Sequence, residues 1–190
     1  LQSDQNDYAT AQGSYEEALQ IRRTLAESNP RTYLPDVAMT LNNLANLQQA
    51  QNDYATAQGS YEEALQIRRT LAAENPRTYL PDVAMTLNNL ATLQSDQNDY
   101  ATAQGSYEEA LQIRRTLAES NPRTYLPDVA MTLINLSIFY LQATPDQARS
   151  IALATEALEI TQQFPQVPMV QRYAETALQV LQANGVEVEA

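Results

Sequence analysis

Residues 1–46, 47–92 and 93–138 are nearly the same string written three times without a gap. Leu47–Thr92 differs from Leu1–Asn46 at five positions, and Leu93–Ile138 differs from it at three. The period is therefore 46 residues, and Phe139–Ala190 is a degenerate tail. A repeat of this length means stacked units, none of which buries its apolar face alone. Near-identity points to recent duplication or deliberate construction. Every rung then offers nearly the same surface, which favours a repetitive or backbone-reading ligand.

Each unit reads as two helices. In the middle copy, Pro35 stands near the first helical position, where its missing N–H costs nothing. Val37, Ala38, Leu41, Leu44, Ala45 and Gln48 then recur at spacings of three and four, one stripe of a helix. Gln51-Asn52-Asp53 is a polar turn, with Asp53 placed to cap the second helix. That helix carries Tyr54, Ala57, Tyr61, Ala64, Leu65 and Leu71 on one side, with Glu62, Glu63, Arg68 and Arg69 largely on the other. Asn75-Pro76 ends it, because the residue before proline avoids the α region, and Pro76–Leu80 reads as a connector. Gly13, Gly59 and Gly105 recur in mid-helix, which predicts close helix packing there.

Composition removes whole classes of function. The chain has no Cys, His, Trp or Lys; its eleven basic residues are all Arg, and 23 carboxylates bring the net charge to −12. No thiolate site, disulfide or imidazole base is available. The acidic balance argues against nucleic acid or an anionic membrane as partner. No apolar run approaches a membrane span and no signal-peptide pattern is present. Neither a phosphate loop nor a calcium loop is legible. The expectation is a non-enzymatic chain without cofactor or metal, in the cytoplasm.

These residues resemble the tetratricopeptide repeat. Leu41, Leu44 and Ala45 match the family's packing positions in the first helix, and Ala57, Tyr61 and Ala64 match those in the second. The string PDVAMTLNNLA is most similar to the long repeats of the kinesin light chain type. Two departures stand out. The unit is longer than usual, with the excess in the Arg77–Leu80 connector. Gln48 and Gln94 stand where an aromatic is common, which Tyr140 restores.

The resemblance implies an all-α, right-handed α-solenoid of stacked antiparallel helix pairs, about eight helices in one domain. The expected order is a half repeat (residues 1–34), repeats at 35–80 and 81–126, a degenerate repeat at 127–167 and a capping helix with tail at 168–190. The expected helices are Tyr8–Ala26, Pro35–Ala50, Tyr54–Glu74, Pro81–Asp96, Tyr100–Glu119, Pro127–Gln142, Pro145–Gln162 and Pro168–Ala183. Thr144 is the expected cap of the seventh, and Asn184-Gly185 the stop of the eighth. Leu1 corresponds to Leu47, so the sequence reads as a piece of a longer array with an uncapped first helix.

In the family, first helices line a concave groove that takes extended peptides. The resemblance places Met39, Asn42, Asn43, Asn46 and Gln49 there. The next rung is Met85, Asn88, Asn89, Thr92 and Ser95, and the last is Met131, Ile134, Asn135, Ile138 and Leu141. Asn43, Asn89 and Asn135 match the asparagine that pairs with a ligand main chain, since a side-chain amide both donates and accepts. Helices ~8–10 Å apart and a peptide rising ~3.3 Å per residue let each rung engage about every third ligand residue. Ile134, Ile138 and Leu141 suit either an apolar pocket or a seat for the tail helix. Arg22-Arg23, Arg68-Arg69 and Arg114-Arg115 suit helix C-termini, while the paired glutamates read as a solvated outer face. The primary expectation is an interaction scaffold binding a protein or peptide, within a larger bacterial signalling or adaptor protein. The alternative is a structural spacer or self-associating array, a homo-oligomer through the uncapped first helix.

Overall fold

The structure, a computed structural model, describes residues 2–187 of the chain and the side chains of residues 7–187. Among the described residues there are eight α-helices and no strand: α1 (Gln2–Ser28), α2 (Pro30–Ala50), α3 (Tyr54–Glu74), α4 (Pro76–Asp96), α5 (Tyr100–Ser120), α6 (Pro122–Gln142), α7 (Gln147–Thr161) and α8 (Pro168–Ala183). Two compact units divide the chain, Leu1–Leu93 and Gln94–Ala190. In the first, α2 packs between α1 and α3; in the second, α5 packs on α6, α6 on α7, and α8 on both α6 and α7. Successive helices pair with their neighbours, the arrangement of an α-solenoid.

The expected connectors are helical. α2 begins at Pro30, five residues ahead of Pro35, which lies inside the helix, and Pro81 and Pro127 repeat this in α4 and α6. Asn29 caps α2 by accepting from the Thr32 N–H at 3.3 Å, and Asn75 does the same for Thr78 at 3.3 Å. Pro30 and Pro76 follow these asparagines directly, and Pro122 follows Asn121, which makes no side-chain cap bond; each proline has the φ suited to a first turn. Pro35 removes a bond to the Arg31 carbonyl, in the first turn of the helix, where Arg31 is exposed. Burial of Val37 and Ala38 one turn later outweighs that loss. α1 likewise runs longer than expected, from Gln2 rather than Tyr8.

Turns between paired helices follow the sequence closely. Asn52 and Asn98 adopt φ of 62° and 63°, the left-handed region that Asn tolerates better than other L residues. The next N–H then closes back, Asp53 on the Gln48 carbonyl at 2.9 Å and Asp99 on that of Gln94 at 2.8 Å. Asp53 and Asp99 cap α3 and α5 as expected. Gly185, with φ of 80°, ends α8 by the same device.

The seventh helix starts at Gln147, not Pro145, and Asp146 caps it in place of Thr144. The Asp146 N–H reaches the Tyr140 carbonyl at 2.8 Å, a turn that brings the Asp146 carboxylate, not the Thr144 hydroxyl, over the open N–H groups. The Thr144 Oγ1 is left buried with no partner. Asn184 locks α8 down: its amide donates to Ser150 Oγ at 2.9 Å and to the Val180 carbonyl at 2.9 Å, while Ser150 and Ser137 exchange bonds between α7 and α6.

One arginine of each pair turns inward. Arg68 is only 3% exposed. Its Nη1 donates to Asn42 Oδ1 of α2 at 3.2 Å, to the Asp82 carbonyl of α4 at 3.1 Å, and to the Thr86 hydroxyl. Arg114 repeats the contact with Asp128 and Thr132, and Arg22 with Asp36 and Thr40. Burial pulls the Arg68 pKa below its ordinary value and Asp82 opposes that pull, so the guanidinium stays charged. The outward arginines are not idle. Arg23 forks onto Glu63 with both bonds at 2.6 Å, and Arg115 onto Glu156 at 2.7 and 2.6 Å. Half-exposed pairs of this kind contribute at most about 1 kcal/mol.

The recurrent glycines do not mark close packing. Gly13, Gly59 and Gly105 are exposed, and a Cβ on any of them meets nothing within 4 Å. Gly59→Ala is therefore expected to stabilise the fold by about 0.5–1 kcal/mol, read as a shift in the urea midpoint. Arg68→Ala is expected to cost about 1.5–3 kcal/mol, because it strips a charged donor from buried acceptors. Arg69→Ala in the same assay should change stability by at most about 1 kcal/mol; equal losses for the two variants would contradict this role of Arg68.

Candidate functional site

The expected site residues do not share one environment. On α2, Met39 and Asn46 are exposed and Asn43 and Gln49 half-buried; on α4, Met85 is exposed and Asn89, Thr92 and Ser95 half-buried. These eight side chains carry no charge. Asn42 and Asn88, by contrast, are buried. Asn42 Oδ1 receives Arg68 at 3.2 Å and the Thr86 hydroxyl at 3.4 Å, so it belongs to the joint between hairpins rather than to an open face.

Asn46 organises the exposed strip of the first unit. The Tyr61 hydroxyl, on α3, donates to Asn46 Oδ1 and lies 3.2 Å from Gln49 Oε1. Asn89 Nδ2, on α4, reaches the same Asn46 oxygen at 3.5 Å. Both acceptor positions of that oxygen are thus engaged, and the Nδ2 protons are what Asn46 presents. The Thr92 hydroxyl, one turn beyond Asn89, bonds the Asn88 carbonyl at 3.2 Å. Tyr61 is buried, and burial pushes its phenol well above the ordinary tyrosine range. At neutral pH it is a proton donor.

In the second unit, Met131 and Asn135 of α6 are half-buried, whereas Ile134 is buried. Ile138 and Leu141 pack with Ala154, Val180 and Leu181, so they seat α7 and the tail helix rather than line a pocket. The physical reason is plain: aliphatic side chains replace Asn42 and Asn46 here, and α8 covers them. Phe139 and Tyr140 add an aromatic core with Tyr107 and Tyr100, at ring separations of 5.4–6.2 Å.

Paired hairpins, small residues at the helix contacts and first-type helices carrying amides together suggest one architecture. A family model described as tetratricopeptide repeat matches residues 1–70 and 36–116, more than half of the chain. The chain belongs to the tetratricopeptide repeat family. Its fold is similar to that of the crystal structure of BtubC (BKLC) from P. vanneervenii, with a TM-score of 0.52 and 20% identity over 94% of this chain and 84% of that one. No curated protein matches it. Tetratricopeptide repeats generally mediate protein–protein interaction and are typically scaffolds rather than enzymes. Among the described residues, no group of three or more His, Cys, Asp or Glu could hold a metal ion. Nor is any helix long and apolar enough to cross a membrane.

Sequence reasoning missed the inward arginines of this tetratricopeptide repeat. A signal was there: Arg68 falls at the three-and-four spacing of Ala64 and Leu71, on the buried stripe. Asn42 was equally legible, four residues after Ala38 and three before Ala45.

Tyr61→Phe should cost about 0.5–1.5 kcal/mol by removing the bond to Asn46. The raised pKa also sets a sign. Tyr61 contributes stability below about pH 10, the value of an unfolded tyrosine, and that contribution is lost as pH rises further. Urea midpoints of the parent are expected to fall more steeply above pH 10 than those of Tyr61→Phe; parallel curves would contradict the assignment.

Proposed function

We propose that the α2–α4 face of the first unit binds an extended segment of a partner protein, chiefly through the segment's main chain. Met39, Asn43, Asn46, Gln49, Met85, Asn89 and Thr92 form the contact surface. In the second unit, Met131 and Asn135 of α6 serve the same purpose. Asn42, Asn88, Ile134 and Ile138 take no part. The setting that fits is a cytoplasmic adaptor or signalling protein of which these repeats are the interaction module.

The observation that carries the reading is the fixed amide of Asn46. Held by Tyr61 and Asn89, it offers its donors without having to choose an orientation, which lowers the entropy lost on binding. Neighbouring Asn43 and Asn89 add groups that can both donate and accept, matching the alternation of a peptide backbone. Exposed Met39 and Met85 add adaptable apolar surface for the ligand's side chains. The face carries no charge, so recognition depends little on salt.

A displayed random-peptide library, panned against the chain and against an Asn43/Asn89/Asn135→Ala triple variant, tests this. The parent is expected to enrich binders that the variant holds at least tenfold more weakly, with affinity nearly constant from low to high salt. Equal binding by both proteins would remove the role given to the asparagines.

A further inference from the structure

The chain holds no cysteine, so its sulfur is confined to four methionines, and none of the four is among the buried residues. Met169, the second residue of α8, is 63% exposed. Met39 on α2 and Met85 on α4 are 43% and 36% exposed, and Met131 on α6 is half-buried. The last three recur with the 46-residue period, each four residues ahead of an asparagine: Asn43, Asn89 and Asn135. Side chains four apart on a helix are neighbours on one face. Each of these thioethers therefore stands one turn from an amide given to a ligand main chain. Asn46, Gln49 and Thr92, elsewhere on the α2–α4 face, have no atom that a mild oxidant attacks. Oxidation at sulfur thus acts on this surface and leaves the packed interior alone.

We infer that Met39 and Met85 are a reversible redox switch on the α2–α4 face, a role that rests on that face binding a peptide; Met131 acts alike on α6. The oxidant is a hydroperoxide. The sulfur lone pair attacks its terminal oxygen, and the S–O bond forms as the O–O bond breaks. The departing oxygen takes the proton of the transferred hydroxyl and leaves as water or an alcohol. Sulfur loses two electrons, and the peroxide gains them. A dithiol reductase reverses the change: two thiols become a disulfide, and the oxygen leaves as water. Two effects weaken binding in the oxidised state. The adaptable apolar thioether becomes polar and loses its contact with the ligand's apolar side chains. The sulfoxide oxygen is also an acceptor beside the amide one turn on, and it takes an N–H that a ligand carbonyl would use. The donors concerned are those of Asn43 and the Nδ2 proton that Asn89 keeps after reaching Asn46. Exposure orders the attack, with Met169 first, Met39 and Met85 next and Met131 last.

Hydrogen peroxide titrated onto the 190-residue chain tests this. Trypsin then releases each methionine in its own peptide, residues 32–68, 78–114, 124–149 and 150–172, so the gain in mass assigns every site. Nitrogen–proton NMR spectra of the oxidised chain, with no peptide present, should show the Asn43 and Asn89 side-chain resonances moved and that of Asn184 in place. A peptide enriched from the displayed library on the untreated chain should bind the oxidised chain about fivefold more weakly. The melting temperature should not change, and methionine sulfoxide reductases of both stereospecificities with dithiothreitol should restore the affinity. Each variant is compared with itself before and after peroxide. Met169→Leu should lose as much affinity as the parent, and Met39/Met85/Met131→Leu should lose none. Equal losses in these two variants overturn the inference. So do unmoved Asn43 and Asn89 resonances once Met39 and Met85 are oxidised, or a melting temperature that falls with the affinity. A library that yields no binder for the untreated chain removes the peptide face and the switch with it, whereas a binder whose affinity survives oxidation removes the switch alone.

Discussion

Everything in the first unit is referred to the buried guanidinium of Arg68. It touches α2 through Asn42 and α4 through Asp82 and Thr86, from its own position on α3. Three helices thereby meet at one polar point inside an otherwise apolar stack. Leucine and alanine contacts tolerate sliding, since dispersion is non-directional. A charged donor with fixed acceptors does not, because any displacement leaves it unpaired in a low-dielectric interior. The joint therefore sets the register of one hairpin on the next. Its recurrence at Arg22 and Arg114 gives each hairpin step the same polar key.

This joint also decides what the first-type helices can show to a partner. Asn42 is consumed by it, and the neighbouring turn of α2 is then fixed with Asn46 and Asn43 on the open side. Tyr61 continues the same logic at the surface. A phenol that cannot ionise under ordinary conditions holds one amide by its oxygen and turns its protons outward. Stability and recognition thus draw on adjacent turns of the same helices, with buried amides in the first role and exposed ones in the second.

Much of this was legible in the residues. The 46-residue period, the helix pairs, the caps Asp53 and Asp99 and the stop at Asn184-Gly185 all follow from local chemistry. The errors have identifiable causes. Pro35 suggests a helix start because proline is disfavoured inside helices, but its missing bond falls in the exposed first turn. The glycines suggested packing, yet copying alone carried them from unit to unit on an exposed side. Asn42 and Asn88 of the amide series belong to the interior, Asn42 because arginine, by habit a surface residue, buries its head beside it. Ile138 looked the same in sequence whether it lined a pocket or seated α8, and only the path of the tail distinguishes the two.

The clasp of Asn184 has a chemical consequence for how the protein ages. Asn184-Gly185 is the single asparaginyl-glycine step in the chain, the dipeptide most prone to spontaneous loss of its amide through a cyclic imide. That reaction needs the glycine nitrogen to attack the asparagine side-chain carbon. Here the Gly185 N–H is tied to the Gln182 carbonyl at 2.9 Å, and the Asn184 amide is pinned to Ser150 and Val180. Deamidation is closed off while α8 stays docked, and a molecule whose last helix has frayed carries its own clock.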